Sequence, residues 1–488
     1  MHEREIKRKN REPKIYYLAD KSTEILIYFI ILFSPWAFGT TESWSIWITN
    51  ISSYILGSLL VVKLFYKKTK SFYKNKSSHK ENSSKLTQKI FIQLLMFSML
   101  VLLSYILLSA INARATFNLE TKEYIYFEKF NKNLPHSYNS QGTWFVFWQY
   151  LGLICLFWST KEWLFGAGDT QPTILLNQRF KKLLFLICFN GGILAMECIL
   201  QRIYYSEYNG KLLFLVEPEL NKNNITNFGS FAYRSNAATY LNLVWPLGLG
   251  LLIQLGRENL DYGKRRIGNG SELLLIPFII LIASGPIISS SRGGAFVMIG
   301  MLIIISLGML FIKIQSKFLR MSVALILFTG LGAAYYQGWE KLEPRLTEIF
   351  SDNMSNRIQI YEVIGEMIKD YSIFGSGPGS FEAIIQFELD DKFQIWQSWA
   401  HNDYLEFYLT FGKLGGLIIL LFLASLIIHL LISVKYRAIR AIRLFGILSL
   451  LGMAIHAILD FPLQVQSILL LATIISASLL GPIRTSVR

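Results

Sequence analysis

Apolar runs of about 17 to 25 residues recur along almost the whole chain of 488 residues, and charge is kept largely between them. About 20 apolar residues are what a helix needs to cross a 30 Å hydrocarbon core. Transmembrane barrels are instead written as short alternating segments, so the pattern predicts an all-α, polytopic integral membrane protein. With 52% hydrophobic residues, 17% charged residues and a mean hydropathy of +0.38, the composition is too apolar for a soluble domain of this size.

Twelve spans are expected, at about 23–40, 44–62, 90–112, 144–160, 183–204, 236–255, 272–290, 294–312, 321–338, 404–434, 444–460 and 464–482. The first follows a basic tail with no small-residue cleavage site behind it and reads as a retained span. Placing both termini inside puts 33 of the 48 Lys and Arg residues on inner segments, the asymmetry that orients membrane proteins. The formal charge of +15 then belongs to solvated loops beside anionic lipid, and nucleic acid is not an expected partner. Cys155, Cys188 and Cys198 fall within apolar runs and read as packing residues, with no disulfide or zinc framework.

The resulting layout is a cytoplasmic tail (1–22), spans one to nine (23–338), a large outer loop (339–403), spans ten to twelve (404–482) and a short cytoplasmic tail (483–488). A loop that long is expected to hold structure of its own. Its segment "SNRIQIYEVIGEMIKDY" places Tyr361, Ile364, Met367 and Ile368 at helical spacing, with Ser355 as a candidate N-cap, and "FGSGPGSF" ends that helix in a glycine and proline turn. The loop is therefore expected to form a small amphipathic cap on the outer face. Trp44, Trp47, Trp144, Trp148, Trp339, Trp396 and Trp399 crowd the outer boundaries and read first as an interfacial belt, with stacking on sugar rings the alternative for Trp396 and Trp399.

Several polar residues stand out at that boundary. Arg292, in "SSSRGG", lies between spans seven and eight, where a cation needs an anionic partner. Ser289, Ser290 and Ser291, Gly293 and Gly294 and the following helix start would suit a phosphate or diphosphate at headgroup depth. Arg234, with Asn236 beside it, occupies the same depth at the start of span six, and Arg357 lies near the start of the loop helix. Three arginines converging on one face would match a diphosphate. His401, in "WAHNDYLEF", sits where the loop enters span ten, followed by Asn402, Asp403 and Glu406. A neutral histidine there can take a proton from an attacking hydroxyl near pH 7. His456 and Asp460, four apart, share a helix face and could bond to each other. Glu197 is an intramembrane carboxylate with no evident role. No histidine cluster or HExxH suggests a metal, and no cofactor is expected.

Taken in order, "GSFAYRSNAATYL", "SSSRGGAF", "NRIQIYEVIGEMIKDYSIFGSGPGSF", "AHNDYLEFYLTFGKLGG" and "HAILDFPLQ" resemble the O-antigen ligase and polymerase superfamily over roughly residues 225–470. The resemblance implies a GT-C-like bundle in the bacterial inner membrane and an inverting, metal-independent glycosyl transfer on its periplasmic side. The donor would be an undecaprenyl-diphosphate-linked glycan, and the acceptor a glycan, lipid A core or protein. By position, Arg234, Arg292 and Arg357 would bind the diphosphate and His401 would orient or deprotonate the acceptor hydroxyl. The first motif departs from the family pattern, with Tyr233 before the arginine and Ala237 and Ala238 after Asn236. A transporter or flippase of lipid-linked sugars is the alternative class; it would favour internal repeats and midplane charges, and the notable residues gather at the outer face instead.

Overall fold

The computed structural model describes residues 14–73, 83–118, 120–165, 177–204, 211–213, 215–216, 226–261, 271–311, 353–389, 396–433 and 440–480, with isolated positions between 321 and 332. The apolar runs form helices because lipid offers backbone amides no partner outside the segment itself. In chain order these are α1 (Lys14–Trp36), α2 (Ser43–Tyr73), α3 (Ser83–Ile111), α4 (Ser140–Phe165), α5 (Gln178–Ile203), α6 (Arg234–Asp261), α7 (Leu275–Ile288) and α8 (Arg292–Phe311). The loop helices α9 (Asn353–Asp370) and α10 (Phe381–Ile385) precede α11 (Asp403–Ser433), α12 (Arg440–Leu459) and α13 (Gln466–Leu479). Six helices among the described residues are long and apolar enough to cross a membrane: α2, α3, α5, α6, α11 and α12. α7, α8 and α13 are shorter apolar helices. The span expected at 321–338 falls largely outside the described residues, as do both tails and Trp339.

α6 is the axis of the bundle. Its membrane-length segment Arg234–Glu258 is buried throughout, with α5, α7, α8, α12 and α13 packed around it. That explains its unbroken run of buried residues from Ser235 to Gly256, since a helix enclosed on every side keeps no polar face. Cys188 and Cys198 of α5 are buried and unpaired, Cys155 of α4 is half-buried, and none forms a disulfide.

Charges concentrate at one end of the bundle in ion pairs. Asp20 accepts bonds from Lys63, at 2.8 Å, and from Arg179, at 2.5 Å, while Lys67 pairs with Glu162 and Lys181 with Glu258. The opposite end carries the cap. The expected all-α class gains one exception there, a hairpin of β1 (Ala115–Asn118) and β2 (Glu123–Tyr126), paired antiparallel.

The long loop does hold structure of its own. Ile360, Ile364 and Met367 of α9 form a small core with Phe381, Ile384 and Ile385 of α10 and with Ala400 and Leu409, separate from the membrane core. The turn after α9 does more than end a helix. Gly375, Gly377 and Gly379 all have positive φ, the region open to glycine without a Cβ clash, and the turn threads between α4 and α11. Ser376 N donates to Leu409 O and Gly377 N to Thr410 O, while Thr143 Oγ1 donates to Pro378 O. A Cβ on Gly375 would lie 2.3 Å from Thr410 O. α11 itself breaks at Gly412, with φ of 63°, so span ten is not one continuous helix. Ser372 O and Ile373 O accept the bonds of Lys413 N and Leu414 N at the break, an inserted partner of the kind that kinks helices.

Candidate active site

The starts of α6, α8 and α11, the start of α9 and the end of α12 meet at the capped end of the bundle. His401 stands at the centre. Its Nδ1 lies 2.9 Å from Asp460 Oδ1, and because a carboxylate only accepts, Nδ1 carries the proton. Nε2 is then the basic nitrogen, and the side chain, 25% exposed, lines a cavity of about 1230 Å³. The backbone at His401 is left-handed, with φ of 53°, a conformation that costs a non-glycine residue on the order of 1–3 kcal/mol and persists only where its surroundings hold it. Tyr361 Oη donates to His401 O at 2.9 Å, and Asn402 Oδ1 caps α11 by accepting from Tyr404 N and Leu405 N. Buried Asp403 and Glu406 also hold the loop, accepting from Leu463 N and Ala400 N respectively.

Asp460 is fixed from three sides, accepting from His401, from Tyr233 Oη at 3.2 Å and from Phe461 N at 3.1 Å. Burial pushes its carboxyl up, but the hydrogen bond and charge of His401, with the nearby Arg357, outweigh burial and hold it down at about 2. It is therefore ionised at neutral pH and can stabilise a proton gained by His401. Burial pushes the Tyr233 hydroxyl well above its ordinary range, so it stays a donor.

His456 differs from the sequence expectation. Its side chain does not pair with Asp460; Nε2 meets Ser235 Oγ at 3.1 Å and Nδ1 meets Thr239 Oγ1 at 2.7 Å. Thr239 gives its own proton to Ser235 O, and Ser291 Oγ donates to Ser235 Oγ. Nδ1–H thus donates to Thr239, and Ser235 donates to Nε2, which leaves this fully buried ring satisfied at both nitrogens. His456 locks α12 to α6 and α8.

"SSSRGG" is also redrawn. All three serines are buried, Ser291 caps α8 by accepting from Gly294 N, and Ser289 Oγ donates to Pro286 O. The glycines admit neighbouring helices. A Cβ at Gly293 would fall 2.6 Å from His456 Nε2, and one at Gly294 would fall 2.4 Å from Ala238 Cβ. Arg292 and Arg234 are half-buried at the starts of α8 and α6, next to the Ser291–Ser235 bond. Arg357 Nη1 donates to Leu459 O at 2.9 Å, satisfying a free carbonyl at the C-terminus of α12. Arg357 thus reaches the end of α12, against which His456 holds the starts of α6 and α8 that carry Arg234 and Arg292. Of the expected site residues, His401 and Asn236 line the cavity, and the arginines are not in its lining.

Sequence reasoning marked Trp399 for stacking on sugar rings but missed the aromatic column it joins beside His401. Tyr233, Phe461 and Trp399 form a three-ring stack, with centroids 5.3 Å apart at both steps and interplanar angles of 10° and 13°. His401 sets an edge against Phe461 and Tyr233. Glu382 was missed too; its Oε1 accepts from Trp396 Nε1 at 2.8 Å and Ser398 Oγ at 3.1 Å. Trp396 is therefore held by a carboxylate within the cap. The signal available was the polar cluster "WQSWAHND" at the mouth of an apolar run.

Residues 277–420 match the family model described as O-antigen ligase. The match takes in Arg292, Arg357, His401, Asn402 and Asp403 and the break at Gly412; Arg234, Asn236, His456 and Asp460 lie outside it. No curated protein matches the chain.

Proposed function

We propose that this chain, a member of the O-antigen ligase and polymerase superfamily, moves an undecaprenyl-diphosphate-linked glycan onto an acceptor hydroxyl at the capped, periplasmic face of the bacterial inner membrane. The single observation carrying this reading is His401, anchored through Nδ1 on an ionised Asp460 and lining a large cavity.

In the reaction, Nε2 of His401 takes the proton of the acceptor hydroxyl as its oxygen attacks the anomeric carbon from the face opposite the leaving group. The bond between that carbon and the phosphate oxygen breaks, the diphosphate departs with the electron pair, and the configuration inverts. Asp460 stabilises the imidazolium formed. Arg234, Arg292 and Arg357 offset charge growing on the diphosphate, where guanidinium geometry suits paired oxygens. Tyr233 and the N-cap Asn402 keep the pair and its loop in place. The acceptor is a sugar hydroxyl of a glycan or lipid A core, or a protein side chain.

The test is transfer in proteoliposomes holding purified protein and a lipid-linked oligosaccharide, with lipid A core or no added acceptor. His401→Ala should lower transfer by about 10²- to 10⁴-fold. One chain on the core identifies a ligase and lengthening of the carrier-linked glycan a polymerase, while unchanged transfer by the variant removes His401 from the mechanism.

A further inference from the structure

The aromatic stack beside His401 ends on a surface that packing does not use. Phe461 is buried and Tyr233 half-buried, whereas Trp399, at the end of the column, covers Phe461 with one face and remains 36% exposed on the cavity wall. An indole left open beside a reacting group would be an odd choice for mere filling, since burial is its main contribution to stability. The residue before it holds a carboxylate. Ser398 Oγ donates to Glu382 Oε1, and Trp396 Nε1 donates to the same oxygen. Glu382 also lines the cavity, and these bonds commit one oxygen and leave Oε2 for something else.

We infer that Trp399 and Glu382 form a pyranose subsite that seats a ring of the glycan against His401. A sugar ring has an apolar face of C–H groups and a rim of hydroxyls. The first matches the open face of Trp399, and the second matches a carboxylate oxygen that accepts hydrogen bonds from hydroxyls. The spacing favours a ring close to the chemistry, because Trp399 is two residues before His401 and both rings touch Phe461. At about 1230 Å³ the cavity exceeds the range of roughly 300–1,000 Å³ typical of small-molecule pockets, which suits an oligosaccharide extending from this ring. The seated ring belongs either to the acceptor glycan or to the donor glycan.

The inference rests on the glycosyl-transfer reading of the same cavity, so its test has one arm that needs no transfer. Saturation-transfer NMR is recorded on the full chain in detergent with oligosaccharide released by mild acid from the host's own lipid-linked glycan. Wild type and His401→Ala should pass saturation to ring C–H protons, Trp399→Ala should lose it, and Trp399→Phe should restore most of it. Absence of the signal from wild type, or its survival in Trp399→Ala, overturns the subsite even if transfer proceeds normally. In the transfer arm, Trp399→Ala and Glu382→Gln should each raise KM about tenfold or more with kcat largely kept. A rise for the acceptor substrate assigns the ring to the acceptor, and a rise for the carrier-linked substrate assigns it to the donor. Unchanged KM for both, or a fall in kcat alone, overturns the subsite. If wild type binds the oligosaccharide but transfers nothing, the transfer reading fails and the subsite stands.

Discussion

At the scale of single residues, the site depends on one buried carboxylate more than on any cation. Asp460 holds His401, Tyr233 and the backbone of Phe461 together, so its charge and its geometry are separable by substitution. Asp460→Asn keeps an acceptor for Nδ1–H but removes the charge that, in the proposed mechanism, stabilises the imidazolium. Transfer should fall about 10²-fold in kcat with KM little changed. The same carboxyl gives a pH signature. Its folded pKa, depressed to about 2, lies below the value of about 3.9 for an exposed aspartate. The stability it contributes is therefore complete above about pH 4 and is lost as pH falls towards 2. Thermal melts between pH 6 and 2.5 should show a smaller acid-induced loss for Asp460→Asn than for wild type; identical acid profiles would contradict the role of that carboxylate.

At the scale of elements, close contact between α6, α8 and α12 sets where the site's side chains stand. Gly294 meets Ala238 across the α6–α8 crossing, and the clamped ring of His456 leaves no room beside Gly293. Overpacking of this kind typically costs about 1–3 kcal/mol. Gly294→Ala should lower the melting temperature measurably. Gly300, on the same helix but with nothing within 4 Å of the position its Cβ would take, supplies the control, since Gly300→Ala should be neutral or raise stability by up to about 1 kcal/mol. Equal melting temperatures for the two variants would show that the glycine pair does not set the crossing.

At the scale of the whole molecule, the two ends of the bundle differ in kind. One end is laced by Lys63, Lys67, Arg179 and Lys181 pairing with acidic partners, and the other carries the cap, the cavity and His401. By the bias of basic residues towards the cytoplasm, the cavity should open on the periplasm. Single-cysteine variants made after replacing Cys155, Cys188 and Cys198 test this with a membrane-impermeant maleimide. Exposed Ile373 in the cap, changed to Cys, should label once the outer barrier alone is opened, and exposed Lys21, changed to Cys, only after the inner membrane is breached. Labelling in the reverse order would invert the topology.

Much of this was legible in the sequence. Apolar length and the scatter of basic residues determined a helical membrane protein with its notable polar residues at one face, because bilayer thickness and backbone hydrogen bonding act on each segment locally. Local periodicity likewise marked α9, and composition marked the turn at Gly375–Gly379. Only the tertiary structure decided which of those residues meet. His401 and Asp460 are 59 residues apart, while His456 and Asp460, four apart across the end of α12, engage different partners. The glycines of "SSSRGG" admit helices, and Trp399 turns a face to the cavity. Such pairings depend on how helices cross, and crossing is fixed by side-chain volumes on several elements at once, which no single stretch of sequence encodes.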